Sequence, residues 1–364
     1  MNALKRRLLD IIAQDGPLTI AQYMAFCLHD PQHGYYSTRP ALGADGDFIT
    51  APETSQMFGE LIGLWCAQTF VELGAPPRCN LIELGPGSGV LMADAWRASR
   101  ALPAFREAAR IFFVEPSAPL RDAQNQALTK VGAEASWIDK LADAPAAPSI
   151  IIANEYLDCL PIRQFIRTNN DWRERLVGAR DGDLAYGFAP TPANGLIPAG
   201  LRDAPVGAIA ETREALPAFV AALAERLQSA PGRALLIDYG TAQTTGGATF
   251  QAVRAHRSAD PLAEPGEADL TAHVDFQAVA ELARAEGLGV AGPAPQGGFL
   301  HVLGIETRAK ALQSAQPAKA DIVERQMQRL IAPDQMGGLF QAICISSPGL
   351  VAPTGFPLPR AGEV

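Results

Sequence analysis

Residues 81–89 read Leu81-Ile82-Glu83-Leu84-Gly85-Pro86-Gly87-Ser88-Gly89, and Val90-Leu91-Met92-Ala93-Asp94-Ala95-Trp96 follows. An apolar run closing on an acid, glycines at alternate positions and then helix-forming residues spell a strand, a tight turn and a helix N-terminus. Glycines suit such a turn because a Cβ would block its dihedrals and would hold a ligand off the backbone. The spacing is E-x-G-x-G-x-G. Dinucleotide sites carry G-x-G-x-x-G, with a third glycine that packs helix on strand and a pyrophosphate on the helix end. Counted from Gly85, that third position is Val90. S-adenosylmethionine (SAM) carries no phosphate, and its methionine carboxylate suits exposed N–H groups and a positive helix end. The spacing therefore favours SAM over NAD, with an ordinary α/β turn as the competing reading.

Downstream of the turn, strands and helices alternate. Arg110–Glu115 is a second strand, Ser117 caps a helix running to Lys130, Ala135–Asp139 is a third strand, and Ser149–Ala153 is a fourth whose unbroken apolar run marks burial on both faces. Ala234–Tyr239 is a fifth strand, Val274–Glu286 a helix with Asp275 as N-cap and Val274 stapled on Val279, and Gly298–Ile305 a late strand. This order predicts an α/β fold with a doubly wound, Rossmann-like sheet. Upstream, residues 1–78 read as a helical extension: Leu4, Leu8, Ile11 and Ile12 share one face, Thr19–Leu28 is a second helix, and a long helix starts at Thr50 with Phe58, Leu61, Ile62, Trp65 and Phe70 at helical spacing. Those aromatics suit a core better than a cofactor box. The expected organisation is an extension with a lid loop over 1–78, a core over 79–345 interrupted by an insertion at about 165–230, and a loose Pro/Gly-rich tail over 346–364.

Composition narrows the function. In 364 residues with 48% hydrophobic content there is ample core and no run of the about 18–20 apolar residues that a membrane span needs. The first ten residues are basic but lack the apolar segment of a secretory signal. Five scattered cysteines without C-x-x-C pairs argue against a disulfide framework and against a bound metal, and for a reducing compartment, the cytoplasm. A net charge of −9 disfavours nucleic acid and would attract a cationic peptide.

In a doubly wound sheet, ligands lie at the carboxyl ends of the strands. Glu83 and Gly85, Gly87 and Gly89 end the first strand as the cofactor cradle. Glu115 ends the second, where a carboxylate accepts ribose hydroxyls; a plain surface acid is the other reading. Trp137 and Ile138 end the third, placed to flank an adenine ring or simply to fill core. The fourth strand ends in Asn154-Glu155-Tyr156-Leu157-Asp158, with two carboxylates three residues apart and none of the prolines typical of nucleobase amine methyltransferases. A guanidinium is a planar fork that carboxylates bind in pairs, so Glu155 and Asp158 could orient an arginine; helix capping by Asn154 and Asp158 is the alternative.

The glycine motif, Asn154–Asp158 with Leu160-Pro161 and Arg163-Gln164-Phe165, the upstream Gly46–Glu60 stretch, Asp269–Phe276 and Met336-Gly337-Gly338-Leu339-Phe340 together resemble the MidA-like family, that of the mitochondrial complex I assembly methyltransferase and its bacterial homologues. The resemblance runs from about Pro17 to Phe340. It implies a SAM-dependent protein methyltransferase acting on an arginine of a complex I (NADH:quinone oxidoreductase) subunit or a similar protein. It implies further that the loop from Tyr35 to Glu60 folds over the cofactor, with Phe48, Thr50, Pro52, Glu53 and Gln56 near its methionine end. Thr271–Asp275 would cross the substrate entrance, with His273 as a general base or as a structural histidine. The lack of a long basic leader makes the copy look bacterial and cytoplasmic; a eukaryotic copy would work in the mitochondrial matrix. Rival readings are a small-molecule methyltransferase, a non-catalytic assembly scaffold with the same fold, and, least favoured, an NAD oxidoreductase. Substrate identity and oligomeric state stay open.

Overall fold

A computed structural model describes residues 2–38 and 50–356. The expected lid between 39 and 49, with Phe48, and the last residues of the tail, 357–364, lie outside the described residues. The chain forms two compact units, each assembled from separated segments. The first comprises Met1–Phe48, Asp158–Ala218 and Gln243–Asp275, and the second Ile49–Leu157, Phe219–Ala242 and Phe276–Val364, as far as these are described.

The second unit is the α/β unit. Its strands are β1 (Cys79–Leu84), β2 (Ala109–Val114), β3 (Ala135–Ile138), β4 (Ser149–Asn154), β5 (Gly232–Thr241), β6 (Gly289–Pro295) and β7 (Phe340–Ser346). They lie side by side in the order β6-β7-β5-β4-β1-β2-β3. The five from β5 to β3 are parallel, and β7 runs antiparallel between β5 and β6. Every residue of β1 and all but the last of β4 are buried, as expected for central parallel strands covered on both faces. From β1 the chain builds outward to β2 and β3, then returns to β4 on the other side, so the order reverses between β1 and β4. The crevice over the carboxyl ends of those two strands is the place where such sheets bind ligands. Leu84 lies level with Val114 and with Ala153, so the ends of β1, β2 and β4 share one edge.

Helices α1 (Ala51–Thr54), α2 (Gln56–Glu72), α3 (Val90–Ala98) and α4 (Ala118–Thr129) flank that edge or pack behind it. The long helix expected from Thr50 is broken at Ser55, whose backbone is extended and whose Oγ accepts the Met57 N–H at 3.3 Å. Two glycines set the contact of α2 with α3: a Cβ on Gly59 would lie 2.6 Å from Asp94 Cβ, and one on Gly63 2.4 Å from the Ala95 carbonyl oxygen. Glu60 on α2 is buried and accepts from Arg97 of α3 at 3.2 Å and from Arg308 at 2.6 Å.

Three sequence expectations are corrected here. The late strand at Gly298–Ile305 is a helix, Gln296–Val302, followed after the left-handed Gly304 by another, Ile305–Ala315. A short apolar run fits strand or buried helix equally, and here it is a helix packed so close that a Cβ on Gly297 would lie 2.4 Å from the Ile331 carbonyl oxygen. Ser117 precedes α4 but does not cap it through its side chain; its N–H instead donates to Glu115 Oε1 at 2.8 Å. Val274 and Asp275 are strand residues, so Val274 lies outside the helix, which begins at Phe276 and leaves Asp275 in the N-cap position expected for it.

The first unit pairs helices Ala3–Asp15 and Ile20–His29 with antiparallel strands. Thr19 caps the second helix in a reciprocal pair with Gln22. One sheet joins Leu18–Thr19, Arg163–Arg167, Trp172–Arg180, Asp183–Pro192 and Ile209–Thr212, and a smaller one Gln251–Arg254, Arg257–Ala259 and Asp269–Thr271. Leu4, Leu8, Tyr23, Met24, Ile162, Val177 and Leu270 fill its core.

Candidate active site

The turn after β1 has the backbone that its sequence demands. Gly85, Gly87 and Gly89 sit at φ +61°, +52° and +79°, all in the left-handed region. Two of them also face close neighbours. A Cβ on Gly85 would meet the Tyr156 ring at 2.8 Å, and one on Gly89 the Gln124 Cα at 2.9 Å. Glu83 is buried, and burial pushes its carboxyl up to about 8. Its Oε2 has no hydrogen-bond partner among the described residues.

Glu115, at the end of β2, is buried and tied down at both oxygens. Oε1 accepts the Ser117 N–H at 2.8 Å, and Oε2 accepts from Gln124 at 3.3 Å. Burial raises its carboxyl, opposed by the Ser117 and Gln124 hydrogen bonds and by Arg121. Trp137 and Ile138 end β3 half-buried; the indole N–H donates to Gln124 Oε1 at 2.7 Å, and the ring meets Phe113 edge-on. Gln124 is the residue the sequence reading missed. The available signal was its place on α4: Leu120, Gln124 and Leu128 are the buried stripe at i, i+4 and i+8, an amide among leucines.

At the end of β4, Asn154 donates to Glu155 Oε1 at 3.1 Å, and the same oxygen accepts the Ala51 N–H at 2.9 Å. Glu155 stands at φ +51°. Asp238, 1% exposed on β5, holds the following turn, accepting Tyr156 N–H at 3.1 Å and Leu157 N–H at 2.8 Å on Oδ2. Thr50 precedes α1 and accepts backbone N–H groups of Glu53 and Thr54; Pro52 is buried in its first turn. Glu53 accepts from Ser88 of the glycine turn at 3.2 Å, and burial raises its carboxyl. Gln56 is exposed at the start of α2.

Asp158 and His273 belong to the first unit, which brings their backbones together. The Asp158 carbonyl oxygen accepts from Ala272 N–H at 3.1 Å, and the Arg213 guanidinium reaches the carbonyls of Asp158 at 3.4 Å and His273 at 2.6 Å, and that of Ala272. His273 is exposed, and its N–H donates to Thr249 Oγ1 at 2.9 Å. Asp158 is buried.

The second-unit residues suit the amino-acid end of a ligand such as SAM. Oε2 of Glu83, Oε2 of Glu53 and Oδ1 of Asn154 are buried acceptors without a hydrogen bond among the described residues, around a turn whose glycines leave the backbone bare. Buried acceptors are nearly always satisfied, and a ligand ammonium carries donors of the kind they lack.

A family model for SAM-dependent methyltransferases matches residues 61–294. The chain is 34% identical to the Drosophila melanogaster protein arginine methyltransferase NDUFAF7 homolog, mitochondrial, over 96% of this chain and 86% of that one. It is 34% identical to the Mus musculus protein arginine methyltransferase NDUFAF7, mitochondrial, over 92% and 82%. Among solved structures, one from Burkholderia thailandensis bound to S-adenosyl-homocysteine superposes with TM-score 0.84 at 28% identity, covering 97% of this chain and 94% of that one. The glycine turn, the reversal of strand order over it and these likenesses agree: the chain belongs to the MidA-like family of SAM-dependent methyltransferases.

Proposed function

We propose that this methyltransferase modifies an arginine of a protein, with a subunit of respiratory complex I as the expected substrate. The observation that carries the reading is Glu155, a carboxylate fixed at the end of β4 beside the glycine turn. The names of the relatives at 34% identity, protein arginine methyltransferases, point the same way.

In this reading Gly85, Gly87 and Gly89 receive the cofactor along bare backbone, Glu83 and Glu53 its ammonium, Glu115 its ribose, and Trp137 with Ile138 its adenine. Thr50, Pro52 and Gln56 border the methionine end. Bound SAM supplies an electrophilic methyl group on a sulfonium. Glu155 accepts guanidinium N–H groups and draws the positive charge toward itself, away from the nitrogen to be methylated, while Asn154 holds the carboxylate in place. The arginine nitrogen would take the methyl group as the methyl–sulfur bond breaks and S-adenosylhomocysteine leaves as a neutral thioether, and the Glu155 carboxylate would accept the proton that this nitrogen loses and pass it to solvent. Asp158 and His273 are the first unit's candidates for contacting the substrate protein. The five cysteines, none of them in a disulfide, support work in a reducing compartment, the cytoplasm, or the mitochondrial matrix for a eukaryotic copy.

The test is calorimetric titration with SAM, S-adenosylhomocysteine and NADH, on wild type, Gly87→Val and Glu115→Ala, followed by incubation of extract with tritium-labelled SAM. Micromolar SAM binding lost in both variants, with label recovered as methylarginine, supports the reading. Label confined to small molecules or to another side chain overturns the arginine assignment.

A further inference from the structure

We propose that Gln124 is the positioning residue of the adenosyl pocket, locking Glu115, Trp137 and the glycine turn into one geometry before the cofactor arrives. The proposal rests on the reading of Glu115 and Trp137 as adenosyl contacts.

Gln124 is 0% exposed, and every polar atom of its side chain is used. Nε2 donates to the Gly87 carbonyl at 2.9 Å and to Glu115 Oε2 at 3.3 Å, while Oε1 accepts the Trp137 indole N–H at 2.7 Å. One amide thus joins the turn after β1, the acid after β2 and the aromatic ring at the end of β3. The task calls for two donors and one acceptor at the end of a two-carbon stem, which is the inventory of glutamine. Glutamate would turn an acceptor toward Gly87 and a like charge toward Glu115; leucine fills the space and makes none of the bonds. The backbone is fixed as well, because Gly89 lets the helix approach until an added Cβ would lie 2.9 Å from Gln124 Cα.

The consequence is preorganisation. Glu115 already accepts Ser117 N–H on one oxygen and Gln124 on the other, so its carboxylate is held in one orientation with its outer lone pairs left for two hydroxyls. Trp137 is half-buried and would swing without a partner for its N–H. A ligand binding to the unlocked pocket must order both side chains, which weakens affinity without altering any group that touches it.

The experiment compares S-adenosylhomocysteine affinity of wild type, Gln124→Leu, Gln124→Glu, Glu115→Ala and the Gln124→Leu/Glu115→Ala double variant, with circular dichroism confirming the fold of each. Gln124→Leu should raise Kd by about 10- to 100-fold, and by a smaller factor when added to Glu115→Ala, because only its hold on Trp137 and the glycine turn is then left to lose. Gln124→Glu should bind weakly at pH 8 and recover toward pH 5.5 as the new carboxyl takes a proton and donates again. The charged groups tied to this cluster are Glu115, Arg121, whose Nε donates to the Glu115 carbonyl at 2.7 Å, and Asp139, paired with Arg121 at 2.8 Å. Wild-type affinity in folded Gln124→Leu, or a Gln124→Glu affinity that tracks wild type at every pH, overturns the proposal. Undiminished binding by Glu115→Ala would instead overturn the pocket reading on which it rests.

Discussion

Glu155 accepts the Ala51 N–H at 2.9 Å from a backbone held at φ +51°. For a residue with a Cβ that conformation costs on the order of 1–3 kcal/mol, and it persists because the surroundings over-determine it. Here the Glu155 N–H donates to the Ile237 carbonyl, and Asp238 takes the next two N–H groups. Glu155→Gln keeps an acceptor for Ala51 and removes the charge. We expect folding unchanged, SAM affinity within about threefold, and arginine methylation reduced by at least about 100-fold, near the worth of a lost charge-assisted contact in the transition state. Single-turnover assays at saturating SAM decide it; wild-type turnover in this variant removes Glu155 from the chemistry.

Gly85 and Tyr156 make a second relationship with a sharp consequence. Gly85→Ala places a methyl 2.8 Å from the Tyr156 ring and imposes a side chain at φ +61°. The ring can swing, but the turn cannot, so SAM affinity should fall by more than about tenfold while the melting temperature drops only a few degrees. The double variant Gly85→Ala/Tyr156→Ala, measured the same way, should recover little of the lost affinity. Full recovery would mean that the ring clash, and not the turn backbone, was responsible.

The central strands were legible because burial on both faces forces unbroken apolar runs, as in Ile150-Ile151-Ile152. The turn was legible because three glycines at alternate positions have few other uses. What stayed hidden has a physical reason in each case. Gly289–Pro295 contains two prolines that read as loop, yet it is an edge strand, and the register shift between Ala291 and Ala294 accommodates Pro293. Trp172–Arg180 and Asp183–Pro192 pair with each other around a turn at Asp181 and Gly182, but the charges of the first and the half-exposed faces of both leave neither with the apolar run of a buried strand. In the site, Glu83, Glu115 and Glu155 could be placed from strand ends alone. Gln124 acts by a hydrogen bond to the Gly87 carbonyl, 37 residues away, and the only local trace of that pairing is an amide standing in a buried leucine stripe.

Stability should depend on pH through two buried carboxyls of the second unit. Burial pushes Glu83 up to about 8 and Asp94 up to about 6, against ordinary values of 4.5 and 3.8. A carboxyl raised on folding stabilises the protonated native state, so this contribution is present in full below the ordinary value and lost as pH rises through the raised one. For Glu83 the window is about pH 4.5–8, and for Asp94 about pH 3.8–6. Glu83→Gln should flatten the decline of melting temperature between pH 6 and 8. Calorimetric scans across that range check it, and an unchanged slope would show that Glu83 titrates elsewhere.

The packing of α2 on α3 should reach the cofactor turn. Gly63 meets Ala95 so closely that an added Cβ would lie 2.4 Å from its carbonyl oxygen and 2.5 Å from its Cα, and backbone cannot rotate aside as a side chain can. Gly63→Ala must therefore push α3 outward, at a cost of about 1–3 kcal/mol for an overpacked contact. Because Gly89 is the N-cap of α3, that displacement moves the last glycine of the turn. We expect lower thermal stability together with severalfold weaker SAM binding from a residue with no place in the site. Gly74→Ala is the matched control: at φ +84° it strains the backbone, but an added Cβ there meets nothing within 4 Å. It should lower the melting temperature and leave SAM affinity as in wild type. Equal affinity loss in both variants would show that general destabilisation, not the α2–α3 contact, governs the turn.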